Sequence, residues 1–357
     1  MDLSKIMQAM FTGADIGEAL LKDGRLLSSP VALAAFFSRR FSSQDSYEHR
    51  FDSLVFKTQK DFPLLQNRET VRFYSADHYL YGYIYRSSLS KGLVLFVHGI
   101  KGQADDAYAI GENALLEAGY DVFAIDLSAS GRSEPNGIKG LHQGALDVKA
   151  AIDFICTRDD LKNLPLFLFG HSWGAYSCLA STNFITPVKK VVAISGFSTP
   201  IEEMVALPES KTGMELSANR PDLEAAMLDR CGPQYDLSAL TGIQKNPQIK
   251  YLLIQGALDN VVPLKASAYE KGKSFPNVTS FLVENKGHAD ILFSEEASQY
   301  QKQIEIGKRQ VEKEYGKDIL TYPPELLDSL KYNIDKQKAS QIDAKLFETV
   351  DEFFQSK

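Results

Sequence analysis

One short stretch, residues 164–179, places a very tight turn between an apolar run and the start of a helix. The apolar residues 166–169 are typical of a buried strand, and the small residues after Gly174 predict a helix packed on it. Between them stands the pentapeptide Gly-His-Ser-Trp-Gly, with a glycine two residues before and two residues after Ser172. Glycine at both positions permits a strained turn that lifts the serine hydroxyl clear of the sheet.

Strand and helix patterns alternate along most of the remaining chain. A hairpin is predicted around Ala76-Asp77-His78, and helices are predicted at residues 106–118 and 144–156. Buried strands are predicted at residues 93–97, 121–125, 166–169, 190–194, 251–254 and 279–283. This alternation predicts an α/β fold with a mostly parallel, doubly wound sheet and helices on both faces. Functional groups are then expected on loops at the carboxyl ends of the strands.

The sequence divides into an N-terminal extension, residues 1–66, and a main domain, residues 67–357. The first 40 residues predict short helices that either pack on the main domain or bind a partner or a membrane surface. Residues 197–246 predict a helical cap over an apolar pocket. The charged residues 293–339 are interpreted as a helical insertion, because the apolar face of residues 343–354 predicts a closing helix that returns to the sheet.

Composition narrows the classes of partner. Lys and Arg number 39 against 46 Asp and Glu, a net charge of −7 without a basic patch, so nucleic acid is not expected as a partner. The apolar residues 26–37 follow acidic residues and are too few for a membrane span, which takes about 20. Three cysteines without metal spacing are expected to be buried thiols in a reducing compartment. We therefore expect a cytoplasmic protein without a metal or cofactor.

Two further residues provide what a serine nucleophile requires. A serine hydroxyl is a poor nucleophile near neutral pH, so it needs a base, and the base needs an orienting acid. Asp259 follows the strand pattern at 251–254, and His288 follows the pattern at 279–283. The order Ser172, Asp259, His288 therefore places all three on loops at the same edge of the predicted sheet.

Together these motifs resemble the α/β-hydrolase superfamily over roughly residues 69–284 and again at the final helix. The matching motifs are Gly170-His171-Ser172-Trp173-Gly174, His98-Gly99, Asp126 with Gly131-Arg132-Ser133, Gly256-Ala257-Leu258-Asp259, and Gly287-His288. The resemblance implies the α/β-hydrolase fold, with Ser172 as nucleophile, His288 as base and Asp259 as acid.

Acyl transfer also requires hydrogen-bond donors for the oxyanion. The backbone N–H of Trp173, directly after the nucleophile, is one expected donor, because the helix N-terminus aims it. The resemblance implies a second donor after His98-Gly99, which is the N–H of Ile100. Since both donors are backbone groups, the side chains of Ile100 and Trp173 are free to line the pocket.

Other titratable residues are expected to have structural roles. Asp126 should brace its own loop, His98 should bond to backbone near the oxyanion loop, and His171 should point into neighbouring loops. His142 is expected at the surface or as a helix cap. Asp290, two residues past His288, is the second candidate for the acid.

The function predicted from these residues is a serine hydrolase acting on a carboxylic ester or a related small acyl compound. Thioesterase or lipase chemistry would use the same groups, and an aminopeptidase could use Glu202-Glu203 near the substrate amine. A carbon–carbon bond hydrolase stays open, whereas a dehalogenase would carry a carboxylate in place of Ser172. A non-catalytic ligand receptor with a hydrolase fold is the alternative from another class. The oligomeric state stays open.

Overall fold

The computed structural model describes residue 37 and residues 47–356, except residues 136, 185 and 214 and the side chains of residues 211 and 212. The short helices predicted in the first 40 residues lie outside the described residues, apart from Phe37. Phe37 is fully buried in the largest apolar cluster.

The described residues form one eight-stranded sheet. Its strands, in chain order, are β1 (Arg68–Ser75), β2 (His78–Tyr85), β3 (Leu93–Val97), β4 (Asp121–Asp126), β5 (Leu166–His171), β6 (Lys190–Ile194), β7 (Lys250–Gly256) and β8 (Val278–Val283). Their order across the sheet is β1-β2-β4-β3-β5-β6-β7-β8. The pairs β1–β2 and β2–β4 are antiparallel, and the other neighbours are parallel. The predicted hairpin and the mostly parallel sheet are confirmed.

Helices cover both faces of this sheet. Every residue of β3, β4, β5 and β6 is buried, as parallel strands covered on both sides require. One apolar layer contains α3 (Gln143–Thr157), α4 (Trp173–Ser181) and α7 (Ala239–Lys245). The opposite layer contains α2 (Ala109–Glu117) and α12 (Ala344–Gln355).

The segment predicted as a cap contains α5 (Pro200–Thr212) and α6 (Arg220–Cys231), followed by α7. Met204 on α5 and Leu223 and Met227 on α6 belong to the same buried cluster as Trp173. These two helices therefore extend the core on the side of the sheet that carries α4.

The segment predicted as a helical insertion contains α9 (Glu295–Tyr315), α10 (Pro324–Asn333) and α11 (Lys336–Ala339), which follow α8 (Ala268–Gly272) and β8. It packs against α1 (Asp52–Val55), with Leu54 and Val55 in one apolar cluster with Ile319 and Tyr322. The connection before the sheet and the insertion after it therefore share a core. The domain boundary at residue 67 stays a prediction.

The cysteines differ from the expectation of three buried thiols. Cys178 is buried and Cys231 half-buried, but Cys156 is exposed, because it lies in the last turn of α3 on the side away from the sheet. No helix in the described part of the chain is long and apolar enough to cross a membrane.

One ionisable side chain inside the layer of α2 makes no hydrogen bond. Glu112 is fully buried, and neither of its carboxyl oxygens bonds to any residue that the structure describes. Burial, together with nearby carboxylates led by Asp105 and Asp106, raises the pKa of Glu112 well above its usual range. A carboxyl whose pKa rises on folding contributes stability that is present below its unfolded pKa and is lost as pH rises through the folded value.

Replacing Glu112 with Met should therefore stabilise the protein above neutral pH. We expect the free energy of unfolding at about pH 8 to rise by about 1–3 kcal/mol, the cost of a buried polar group without a partner. Urea denaturation measures this change, and the gain should shrink toward about pH 4, where unfolded glutamate is protonated. Glu348→Met, at an exposed position on α12, is the control. A destabilised Glu112→Met at pH 8 would contradict this account of Glu112.

Candidate active site

Ser172 occupies the tight turn between β5 and α4. Its backbone has φ 57° and ψ −123°, a strained conformation for a residue with a side chain. A Cβ on Gly170 would lie 2.4 Å from the carbonyl oxygen of Gly174, and one on Gly174 would lie 2.2 Å from that of Val97. Since real Cβ atoms do not approach so closely, both glycines are required where β5, the turn and β3 meet.

His288 and Asp259 meet Ser172 through two hydrogen bonds. The His288 Nε2 lies 2.8 Å from the Ser172 Oγ, and its Nδ1 lies 2.8 Å from the Asp259 Oδ2. Because a carboxylate only accepts, the neutral imidazole carries its proton on Nδ1, and Nε2 is left to accept from the serine hydroxyl. The structure thus brings the three predicted residues into one chain of hydrogen bonds.

Asp259 is held as an anion by donors around both oxygens. The N–H groups of Val261 and Val262 donate to Oδ1 at 2.9 and 2.8 Å, and Gln255 Nε2 donates to Oδ2 at 2.8 Å. Burial opposes ionisation, but the hydrogen bonds from His288 and these amides keep the pKa of Asp259 below its usual range. Gln255 is fully buried on β7 and was not singled out in the sequence, since an apolar strand pattern gives no signal for one inward amide.

The loop that carries His288 is fixed by a buried lysine. Lys286 Nζ donates to the Phe293 carbonyl at 2.8 Å and to the Ser298 Oγ on α9 at 2.9 Å. Asp290, the second candidate for the acid, accepts from the N–H of Gly287 at 2.7 Å, while Asp259 holds the His288 Nδ1.

The loop after β3 passes directly against the serine. A Cβ on Gly99 would lie 3.1 Å from the Ser172 Cβ, so the backbone at Gly99 passes close to the Ser172 side chain. The Ile100 side chain is half-buried and packs against the core that contains Trp173.

The expectation that the Trp173 side chain is free to line the pocket is wrong. The indole is fully buried against Gly144 at the start of α3, and its N–H donates to the Leu141 carbonyl at 2.7 Å. A buried indole N–H needs such an acceptor, and this one draws the ring into the core.

His98 and Asp126 connect the backbone of neighbouring loops. The His98 Nε2 accepts from the Leu127 N–H at 3.1 Å, so Nδ1 carries the proton and donates to the Gly99 carbonyl at 2.7 Å. Burial lowers the pKa of His98 to about 4. Asp126 accepts from the N–H groups of Ala104 at 2.9 Å and Arg132 at 3.1 Å, and burial raises its pKa to about 6.

His142 is buried rather than at the surface, contrary to one expectation. It occupies the N-cap position of α3, as the other expectation had it, but its side chain makes no capping hydrogen bond there. Met227 and Cys231 on α6 lie over it, around Gly140. This burial lowers the pKa of His142 to about 4.

The described residues contain no cluster of three or more His, Cys, Asp or Glu side chains that could hold a metal ion.

Removing the Lys286 ammonium tests whether it anchors the His288 loop. Lys286→Met takes a buried donor from the Phe293 carbonyl, so we expect the free energy of unfolding to fall by about 1–3 kcal/mol in urea denaturation. Lys302→Met is the control, because its side chain is 65% exposed and its Nζ lies 3.7 Å from Asp290. Exposed pairs contribute at most about 1 kcal/mol. Equal stability of the two variants would contradict the anchoring role.

A family model described as serine aminopeptidase, S33, matches residues 88–209. The matched region contains Ser172 and the loop after β3, but neither Asp259 nor His288. The search of curated proteins found no match.

Three solved structures similar to the chain are described as esterases or a peptidase. An esterase of Pyrococcus furiosus is 23% identical over 71% of this chain and 93% of that chain, with a TM-score of 0.49. An acylaminoacyl peptidase of Pyrococcus horikoshii is 19% identical over 63% of this chain and 38% of that chain, with a TM-score of 0.49. The esterase domain of a Rhodothermus marinus protein is 18% identical over 62% of this chain and 89% of that chain, with a TM-score of 0.44. At these similarities they give no information about the substrate of this chain.

Proposed function

We propose that this chain is an α/β-hydrolase that cleaves a carboxylic ester or a related acyl bond through an acyl-enzyme on Ser172. The observation that carries the proposal is the chain of two 2.8 Å hydrogen bonds from Ser172 through His288 to Asp259. This chain of hydrogen bonds ends on the Asp259 carboxylate, which is held ionised. Asp259 can therefore stabilise the imidazolium that forms on His288 during proton transfer.

In the first half of the reaction, the Ser172 Oγ attacks the substrate carbonyl while its proton passes to the His288 Nε2. The developing oxyanion accepts hydrogen bonds from the backbone N–H groups of Trp173 and Ile100. Each such donor typically contributes about 3 kcal/mol to transition-state stabilisation. His288 then gives the proton to the leaving alcohol, and the acyl group stays on Ser172.

In the second half, a water molecule takes the place of the alcohol. His288 removes a proton from the water, the resulting hydroxide attacks the acyl carbonyl, and the proton returns to the Ser172 Oγ as the carboxylic acid leaves. His288, which is hydrogen-bonded to Ser172, therefore acts as the base in both halves of the reaction.

Peptide-bond cleavage after a free amino group is the second candidate, because the matching family model is described as a serine aminopeptidase. Such an enzyme needs a carboxylate available to the substrate amine. Glu202 is instead paired with Arg220 at 3.0 Å and with Lys271 at 2.8 Å, which neutralises its charge within the protein. Glu203, the neighbouring candidate, is buried on α5. The ester reaction needs no such carboxylate, so it is favoured over the aminopeptidase reaction.

The nucleophile is tested by labelling with a fluorophosphonate probe, which reacts with an activated serine. Ser172→Ala should lose all labelling and reduce ester turnover at least about 1,000-fold, because the attacking oxygen is gone. Ser181→Ala is the matched control, since Ser181 is buried on the same helix and donates to the Cys178 carbonyl. Labelling that persists in Ser172→Ala would overturn the assignment. An unlabelled, inactive wild-type protein would favour the receptor hypothesis.

The substrate class is tested with p-nitrophenyl esters of graded acyl length beside alanine p-nitroanilide and its N-acetyl derivative. We expect turnover of the esters and no preference for the free amine, with Glu202→Gln leaving ester kcat/KM within about twofold. The release of coloured p-nitrophenol or p-nitroaniline at constant pH measures the turnover of the esters and of both anilides. Rapid cleavage of the free-amine anilide that is lost in Glu202→Gln would establish the aminopeptidase reaction instead.

A further inference from the structure

Three further hydrogen bonds join the loops that surround Ser172. The Gly99 N–H donates to the Tyr108 hydroxyl at 3.0 Å, and that hydroxyl lies 2.6 Å from the His171 Nδ1. The His171 Nε2 lies 2.9 Å from the carbonyl oxygen of His288. Tyr108 and His171 therefore connect the loop after β3 to the loop that carries the base, and we call this set of bonds the Tyr108–His171 bridge.

The ends of the bridge fix the direction of every bond in it. The Gly99 N–H can only donate, and the His288 carbonyl can only accept. Since the His288 carbonyl accepts, the His171 Nε2 carries a proton and donates it there. The Nδ1 of a neutral His171 ring then has no proton, so it accepts the single proton of the Tyr108 hydroxyl. All three bonds run in the same direction, an arrangement in which each bond polarises and strengthens the next.

The surroundings of His171 agree with this proton arrangement. His171 is buried at the end of β5, and its ring lies 4.9 Å from the His288 ring, centroid to centroid. Burial, followed by the neighbouring His288, lowers the pKa of His171 to about 3. The ring therefore stays neutral at any pH at which the protein would turn over an ester, and it is not a second base.

Each contact of the bridge lies at or beside a group that acts in the proposed reaction. Gly99 precedes Ile100, whose N–H is the proposed oxyanion donor, and His171 precedes Ser172. The third contact is the backbone of His288 itself. Tyr108 also packs closely on the loop after β3, since a Cβ on Gly102 in that loop would lie 2.7 Å from the Tyr108 ring.

Resting on the proposed function, we infer that Tyr108 and His171 are positioning residues that hold the oxyanion loop and the His288 loop at a fixed separation. Ring packing alone would be satisfied by Phe at 108, because Phe96 contacts the ring edge-on. The positioning role therefore depends on the Tyr108 hydroxyl, which makes the hydrogen bonds to Gly99 and His171. Without it, the Gly99 N–H loses its acceptor, and the oxyanion donor and the base can shift relative to each other.

The first test is Tyr108→Phe, which keeps the ring and removes the hydroxyl. A misplacement of about 1 Å in an active site can reduce the rate about 100-fold, so we expect kcat and the rate of fluorophosphonate labelling to fall together by about 10- to 100-fold. KM should stay within about twofold, because the bridge does not contact substrate. Tyr120→Phe is the matched control, since it also removes a hydroxyl that is hydrogen-bonded within the protein, to Asp351 at 2.7 Å. Tyr120 lies directly before the start of β4, at the edge of the sheet opposite to the site.

The second test is His171→Gln, alone and with Tyr108→Phe. The Gln Nε2 can still donate toward the His288 carbonyl, but its only acceptor, Oε1, lies off the position of the imidazole Nδ1 and so does not reproduce the bond from Tyr108. If the two residues act through one bridge, the double variant should have the kcat of the slower single variant. Effects on kcat that multiply would mean that the residues act separately and would overturn the bridge.

Stability and labelling separate the possible failures. If Tyr108→Phe lowers the melting temperature but leaves kcat and the labelling rate at the wild-type values, the hydroxyl is only structural and the inference is wrong. If wild-type protein is not labelled at Ser172 at all, the proposed function fails, whatever the Tyr108 variants do. Labelled wild-type protein with unchanged Tyr108→Phe kinetics overturns the inference alone.

Discussion

The close packing of α4 on β5 and β3 is the constraint on which the rest of the site depends. The turn at Ser172 leaves no space for a Cβ at Gly170 or Gly174, because backbone oxygens lie within 2.4 Å of both positions. The serine accepts an unfavourable backbone conformation there, and its own N–H is bonded to the Ile194 carbonyl on β6 at 2.8 Å. Three neighbouring strands therefore hold one strained residue, and every other group of the site is placed relative to it.

The sequence predicted the fold well wherever a signal was local. The bounds predicted for β3 and β6 agree with the structure, because continuous apolar runs between turn residues identify buried parallel strands. The candidate triad was found for the same reason. Asp259 and His288 each follow a strand pattern, and parallel strands bring their carboxyl ends to one edge whatever lies between them.

Contacts between distant segments were not predictable in this way. Apolar residues before the sheet and in the insertion showed that each segment buries a face, but not that Leu54 and Ile319 share one core. The same limit explains the errors at Trp173 and His142, since both are buried by contacts with Leu141, Gly144 or α6 that no spacing in the sequence encodes. Gln255 was missed because one polar side chain within an apolar strand has no periodic signal, and Tyr108 because its hydroxyl acts on distant loops from a turn before α2.

The structure also separates the groups that hold the oxyanion loop from the groups proposed to react. The loop is fixed from its inner side by buried carboxylates: Asp106 accepts from the Gln103 and Tyr108 N–H groups, each at 2.9 Å, and Asp126 accepts from Ala104 at 2.9 Å. Burial raises the pKa of Asp106 to about 7, although the hydrogen bonds from the Tyr108 and Gln103 N–H groups oppose this shift. These bonds hold residues 103–108 of the loop, whereas Gly99 at its start passes close to the Ser172 side chain. The oxyanion donor proposed at Ile100 would therefore be held in place before substrate binds, with little reorganisation during the reaction.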